Sequence, residues 1–141
     1  MYAINYAIPA VVDYRRLRKE AGLSPKTLEA AERGLPNTLF AVQILAGDEM
    51  VGMGRVIGDG GNFFQVVDIA VHPTHQGRCL GKTIMREIAG YIEREVPHSG
   101  YVSLLADGKA VELYQQFGFV RTAPASVGMA LKKMKVGHDR A

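Results

Sequence analysis

A single cysteine, Cys79, is all the chain has, and that scarcity excludes an intramolecular disulfide and any cysteine-built zinc cluster. Its four histidines are scattered without metal-ligand spacing, so no metal is expected. No apolar run approaches the roughly 18 residues that read as a membrane span, and the N-terminus lacks the charged, apolar and small-residue succession of a secretory leader. A cytoplasmic protein with no membrane partner is therefore expected. The phosphate-binding P-loop pattern is absent. So is the dinucleotide fingerprint G-x-G-x-x-G, because Gly77 and Gly81 with Cys79 between them do not fit it. Clustered arginines with interleaved aromatics, the footprint of a nucleic-acid face, are missing as well. The formal net charge is +3, with the basic residues dispersed apart from Arg15-Arg16-Leu17-Arg18-Lys19 and Lys132-Lys133-Met134-Lys135. An excess of this size fits solubility or attraction for a phosphorylated coenzyme.

What is present begins with enough chain for a core. At 141 residues and 48% hydrophobic, residues 1–141 make one domain. The stretch from Val66 to Glu95 organises it: an apolar run Val66-Val67-Asp68-Ile69-Ala70-Val71, a turn His72-Pro73-Thr74-His75, a glycine-bearing loop, then a helix. Ile84, Met85, Ile88, Ile92 and Val96 recur at three- and four-residue steps, which is one helix face, and Pro97 stops the pattern. The helix starts just after the loop. Its first backbone N–H groups lack internal partners and carry the positive end of the helix dipole, which is an anion site suited to phosphate.

The loop resembles the pyrophosphate-binding motif of the GNAT acetyltransferase superfamily, Q/R-x-x-G-x-G/A after a strand that ends in an apolar residue and x-Pro. Gln76, Gly81 and Val71-His72-Pro73 match it, while Cys79 stands where the family usually has its first glycine. A cysteine fits there at negative φ, whereas a left-handed backbone would cost it about 1 kcal/mol or more. Further along, Ala110-Val111-Glu112-Leu113-Tyr114-Gln115-Gln116-Phe117-Gly118-Phe119 resembles the family's A-x-x-L-Y-x-x-x-G-F segment, with Gly118 placed as a helix C-cap. The resemblance covers roughly Ala41 to Met134, and the N-terminal part by helix pattern only.

The resemblance implies an α/β (α+β) GNAT fold: a mixed, mostly antiparallel twisted sheet of about six to seven strands with helices on both faces. It implies an acetyltransferase that moves an acetyl group from acetyl-CoA directly to a primary amine of a small molecule. In such a site the thioester arm adds along Ile69, Ala70 and Val71 like an extra strand. The Val71 N–H polarises the carbonyl oxygen, and Gln76, Gly77, Arg78, Cys79, Leu80, Gly81 and Lys82 hold the pyrophosphate. Asp107 occupies a position where the family often has a coenzyme-side asparagine. Tyr114 becomes the general acid that protonates the leaving thiolate; an ordinary tyrosine pKa of about 10 lies above a thiol's roughly 8.5, so donation is available near neutral pH. For a tyrosine met without the resemblance, a core side chain with its hydroxyl at the rim is the alternative.

Strands are expected over Ile4–Ile8, Thr38–Ala46, Met50–Ile57, Phe63–Val71 and Tyr101–Ala106, with two more between Phe119 and Lys132. Helices are expected from Ala10 to Ala21 and, capped by Ser24, to about Arg33. The strand ending at Val71 and the strand starting at Tyr101 should lie parallel and adjacent across the central helix. Alternation puts Asp68 on the face of Phe64, Val66 and Ala70. An acid in that company is either a structural carboxylate, paired because buried acids must be, or a cleft-floor group that holds an ammonium substrate or relays its proton. Cys79 as an acyl nucleophile is disfavoured by its place on the phosphate side of the loop. Exposed strand edges leave room for a homodimer, and residues 135–141 read as a frayed tail. Two other activities compete: acetylation of protein amino groups, against which Gln65 in place of a glutamate base argues, and non-catalytic acyl-CoA sensing.

Overall fold

The computed structural model describes residues 1–133; the expected tail at 135–141 lies outside them. Five strands form one sheet in the order β1 (Tyr2–Asn5), β2 (Phe40–Ala46), β3 (Glu49–Gly58), β4 (Phe63–Val71) and β5 (Tyr101–Ser103). The first four run antiparallel to their neighbours, with short links joining β2 to β3 and β3 to β4 and the helices α1 and α2 lying between β1 and β2. Strand β5 joins β4 in parallel across the connecting helix. Helix α3 (Leu80–Glu95) covers one face, while α1 (Val11–Glu20) and α2 (Leu28–Gly34) cover the other; α4 (Ala110–Gln115) packs beside α3.

Each face has its own core. Ile84, Met85 and Ile88 of α3 meet Val42, Ile44, Val56, Phe64 and Val66. On the opposite side Tyr14 and Leu17 of α1 meet Ala31, Leu35, Met50, Met53 and Ala70. The α3 side packs closely because β3 presents glycines there. A Cβ on Gly54 would lie 2.6 Å from Ile84 and 2.7 Å from Ile69.

Two of the expected strands do not form. The segment from Phe119 to Lys133 contains no strand, and five strands stand where six or seven were expected. Its apolar alternation fits a strand, but a strand also needs a partner edge: Ser126 bonds back to Thr122 at 3.0 Å, and Val120, Met129 and Leu131 remain more than four-fifths exposed. Strand β5 is shorter than expected for the same reason, pairing only over Tyr101–Ser103. At the N-terminus β1 lies earlier than Ile4–Ile8. Beyond it the side chain of Gln43 donates to the Ala7 carbonyl at 2.7 Å, so the chain leaves the ladder before Pro9. Helix α2 starts at Thr27, whose hydroxyl accepts from the Ala30 N–H at 3.1 Å. Ser24 does not cap it because its carbonyl and hydroxyl accept from Arg18.

One correction matters for function. Asp68 does not share a face with Phe64 and Val66. Met53 pairs with Ala70 and Arg55 with Val67, so Gly54 opposes both Asp68 and Ile69; Asp68, at φ 61°, is the bulged residue. The bulge resets the alternation. Phe64, Val66, Ile69 and Val71 pack toward α3, and Asp68 turns with Ala70 toward α1.

Candidate active site

Strand β4 is paired with β5 only as far as Gln65, opposite Ser103. From Val66 to Val71 its outer edge is free of β5, which is the splay that an added strand would need. The chain then turns through Pro73–His75, capped by His72, whose Nδ1 accepts from the Thr74 N–H at 3.2 Å. Gln76 ties the loop back, donating from Nε2 to the Val71 carbonyl at 3.1 Å.

The loop then enters α3. Gly77 has φ 80°, with open space where a side chain would be. Cys79 is the N-cap at φ 61°, ψ 24°, the left-handed conformation that a glycine takes freely and a cysteine at a cost of about 1–2 kcal/mol. Its thiol is exposed and caps nothing. The first intrahelical bond runs from the Thr83 N–H to the Cys79 carbonyl at 3.1 Å, so the amides of Leu80, Gly81 and Lys82 precede the hydrogen-bonded ladder. No acidic side chain occupies the first turn. A Cβ on Gly81 would touch only Leu113, at 3.5 Å. These bare amides lie at the positive end of the helix dipole beside Arg78 and Lys82, a setting that suits an anion. Arg78 donates to the Tyr2 hydroxyl at 2.9 Å, and that hydroxyl also bonds His75 Nδ1 at 2.7 Å, so β1 braces the loop.

On the cleft side of the sheet lies an open cavity of about 800 Å³. Its walls include Gln65 through Ile69 of β4, the segment from Gly22 to Lys26 except Pro25, Asp107, and Tyr114 of α4. Sequence-predicted residues that are far apart in the chain, Asp68, Ile69, Asp107 and Tyr114, thus face one space. Ala70, Val71 and the loop from Gln76 to Lys82 are not among its walls; they continue from its β4 edge.

Tyr114 stands in α4, whose C-cap is Gln116; Gly118, expected as the cap, takes φ 92° two residues further on. Its ring packs edge-on to Phe119, with centroids 6.4 Å apart. Among the described residues its hydroxyl makes no hydrogen bond. Burial raises its pKa above the ordinary 10.0, and the negative charge of Asp107 adds to the rise. The phenol therefore keeps its proton at neutral pH, the state a general acid needs.

Asp68 is built differently. Arg18 Nη1 donates to its Oδ1, while Oδ2 accepts from Arg55 Nε at 2.8 Å and the Tyr14 hydroxyl at 3.0 Å. The Tyr14 ring is flanked by both guanidiniums, their carbons 5.9 and 5.4 Å from its centroid. Burial, with Asp68 next, raises the Tyr14 pKa and keeps it a donor. Tyr14, Arg18 and Arg55 were not anticipated as site residues. The signal available was Arg18 on the apolar stripe of α1 and Arg55 inside an apolar strand, since buried arginines survive only with partners.

The sequence matches the family described as Acetyltransferase (GNAT) domain over residues 21–135. In three dimensions the chain is similar to a protein of unknown function from meticillin-resistant Staphylococcus aureus, with a TM-score of 0.90 and 53% identity, covering 94% of this chain and 100% of that one. A GNAT-family acetyltransferase from Streptococcus pneumoniae TIGR4 gives a TM-score of 0.78 at 26% identity, covering 96% and 100%. The uncharacterized N-acetyltransferase ycf52-like of Prochlorococcus marinus is 28% identical over 115 residues, 77% of this chain and 62% of that protein, so the chain spans about three-fifths of that relative. With the match running from the end of α1 through the C-terminal segment, the chain belongs to the GNAT acetyltransferase family.

Proposed function

We propose that this chain transfers the acetyl group of acetyl-CoA directly to a primary amine of a small molecule. The observation that carries the reading is that the free edge of β4 leads from a cavity lined by Tyr114 to the bare amides of α3. A thioester arm fits along Ile69, Ala70 and Val71, and the amides from Gly77 to Lys82, with Arg78 and Gln76 framing them, suit the pyrophosphate. Cys79 holds a left-handed conformation that a glycine would take freely, so the loop shape is kept at a cost in strain.

Attack of the amine nitrogen on the thioester carbonyl makes a tetrahedral centre whose oxygen the Val71 N–H stabilises. When the carbon–sulfur bond breaks, the electron pair goes to sulfur and the Tyr114 hydroxyl supplies the proton. The amine's own proton leaves to water or to a neighbouring base. Asp68 acts in this reading as a positioning residue: its oxygens accept from three donors, and it holds the two arginines at the cleft wall. Asp107 adds to the burial that holds the Tyr114 proton.

A small acceptor is favoured over a protein amino group by the walled cleft, closed on one side by the segment between α1 and α2, and by Gln65, which has no basic carboxylate. The test is acetyl-CoA binding by calorimetry followed by thiol release against amines, amino acids, polyamines, aminoglycosides and peptides. Binding with turnover on small amines is expected. Turnover confined to peptides would favour protein acetylation, and binding without any turnover the sensor role.

A further inference from the structure

The cleft wall carries more positive charge than it neutralises. Arg18, Lys26, Arg55 and Lys132 line it, against Asp68 and Asp107. Asp68 is shared between Arg18 and Arg55, whose side chains are 8% and 9% exposed. The three together hold one formal positive charge beyond balance in a buried setting, which is costly unless a counter-charge arrives.

The donors show where it would arrive. Each nitrogen of Arg18 has a partner, Nε and Nη2 on Ser24 and Nη1 on Asp68. Arg55 is not: Nε serves Asp68 and Nη1 donates to the Thr38 hydroxyl at 2.6 Å, while Nη2 makes no hydrogen bond among the described residues. Lys26 shares two cavities with it, the main cleft and a smaller one of about 170 Å³ that Tyr14 and Arg55 also line. Its backbone carbonyl accepts from Arg15 Nε at 3.0 Å, which fixes the segment that carries it.

Resting on the acetyltransferase reading above, we infer that the acceptor is a small amine that also carries an oxyanion, a carboxylate or a phosphate, bound by Arg55 and Lys26. Arg55 offers the planar donor that suits either oxyanion and Lys26 a second charge. The oxyanion neutralises the buried excess, and the amine end points away toward Tyr114 and the β4 edge. Purely cationic amines meet four cations, and of the two carboxylates Asp68 is already committed to three donors, so the cleft disfavours them.

The experiment uses matched pairs: ethanolamine with phosphoethanolamine, glucosamine with glucosamine 6-phosphate, and cadaverine with lysine. Each is titrated by calorimetry into the protein with unacylated coenzyme A, which needs no turnover, and each is then assayed for thiol release with acetyl-CoA. In at least one pair the anionic member is expected to bind about tenfold more tightly or better. Preference within the phosphate pairs alone identifies a phosphate site, and within the lysine pair alone a carboxylate site. Arg55→Lys, which keeps the charge and loses the fork, and Lys26→Gln, at an exposed position, should each narrow that ratio severalfold. A ratio is unaffected by a partly unfolded fraction. Equal binding within every pair, preference for the cationic members, or ratios unmoved by both variants would overturn the inference. Discrimination without turnover keeps the anion site and removes the catalytic reading; turnover without discrimination does the reverse.

Discussion

Tyr114 and Asp68 line one cavity yet differ in what their oxygens are free to do. The Tyr114 hydroxyl is unbonded among the described residues and holds its proton; Asp68 accepts from three donors. Tyr114→Phe should lower kcat by about 10²–10⁴-fold with little change in coenzyme affinity, measured by thiol release and calorimetry. A raised pKa means that the protonated acid persists to higher pH, so the wild-type rate should fall only above pH 10.0, and the Phe variant should lack that alkaline limb. A variant with normal kcat removes Tyr114 from the mechanism. For Asp68, neutralisation leaves two buried guanidiniums without their carboxylate, a loss of roughly 3–5 kcal/mol. Urea unfolding of Asp68→Asn should report it; an unchanged midpoint would contradict the positioning role. Asp68 was noticeable in the sequence as an acid within an apolar run. Its three partners were not, because Tyr14, Arg18 and Arg55 come from α1 and β3, and no local pattern encodes a contact across 13 to 54 residues.

At the scale of elements, the loop into α3 and the bulge in β4 show two degrees of legibility. Gly77, Gly81 and the three- and four-residue apolar steps after them predict a turn and a helix, and both form. The conformation of Cys79 is decided by the need to aim the first turn of α3, not by its own preference. Replacing it by glycine relieves the strain but adds freedom to the unfolded chain, so Cys79→Gly should change stability by no more than about 1 kcal/mol. Cys79→Val puts a β-branched residue at φ 61° and should cost about 1–2 kcal/mol beyond cysteine. Chemical denaturation of both variants checks this, and a valine variant as stable as the glycine one would contradict the left-handed assignment. The bulge at Asp68 had no such signal. It lies opposite Gly54, where two β4 residues face one on β3, and strict alternation therefore misassigned the face.

Across the whole molecule, the layers depend on how closely α3 approaches β3. Gly54→Ala pushes a methyl against Ile84, Ile69 and Ile88 at 2.6–3.0 Å, within a core where Ile84 and Ile88 are fully buried. A loss of about 1–3 kcal/mol is expected from overpacking, read as a lower urea midpoint, and an unchanged midpoint would show that α3 can move away. The antiparallel meander of β2, β3 and β4, the parallel crossover to β5 and the main helices were determined by sequence alone. Periodicity, glycine turns and helix stops are local properties that each segment carries wherever it lies. The loop from Gln76 to Lys82 and the segment around Tyr114 stood out for the same reason, as short contiguous motifs. Tertiary structure decided the rest: the absence of strands between Phe119 and Lys133, the direction Asp68 faces, and the Arg18–Asp68–Arg55 group on the cleft wall. Each depends on a partner distant in the chain, whether a sheet edge, an opposing glycine or a counter-charge, and the energy of such a contact is set only when folding brings the two together.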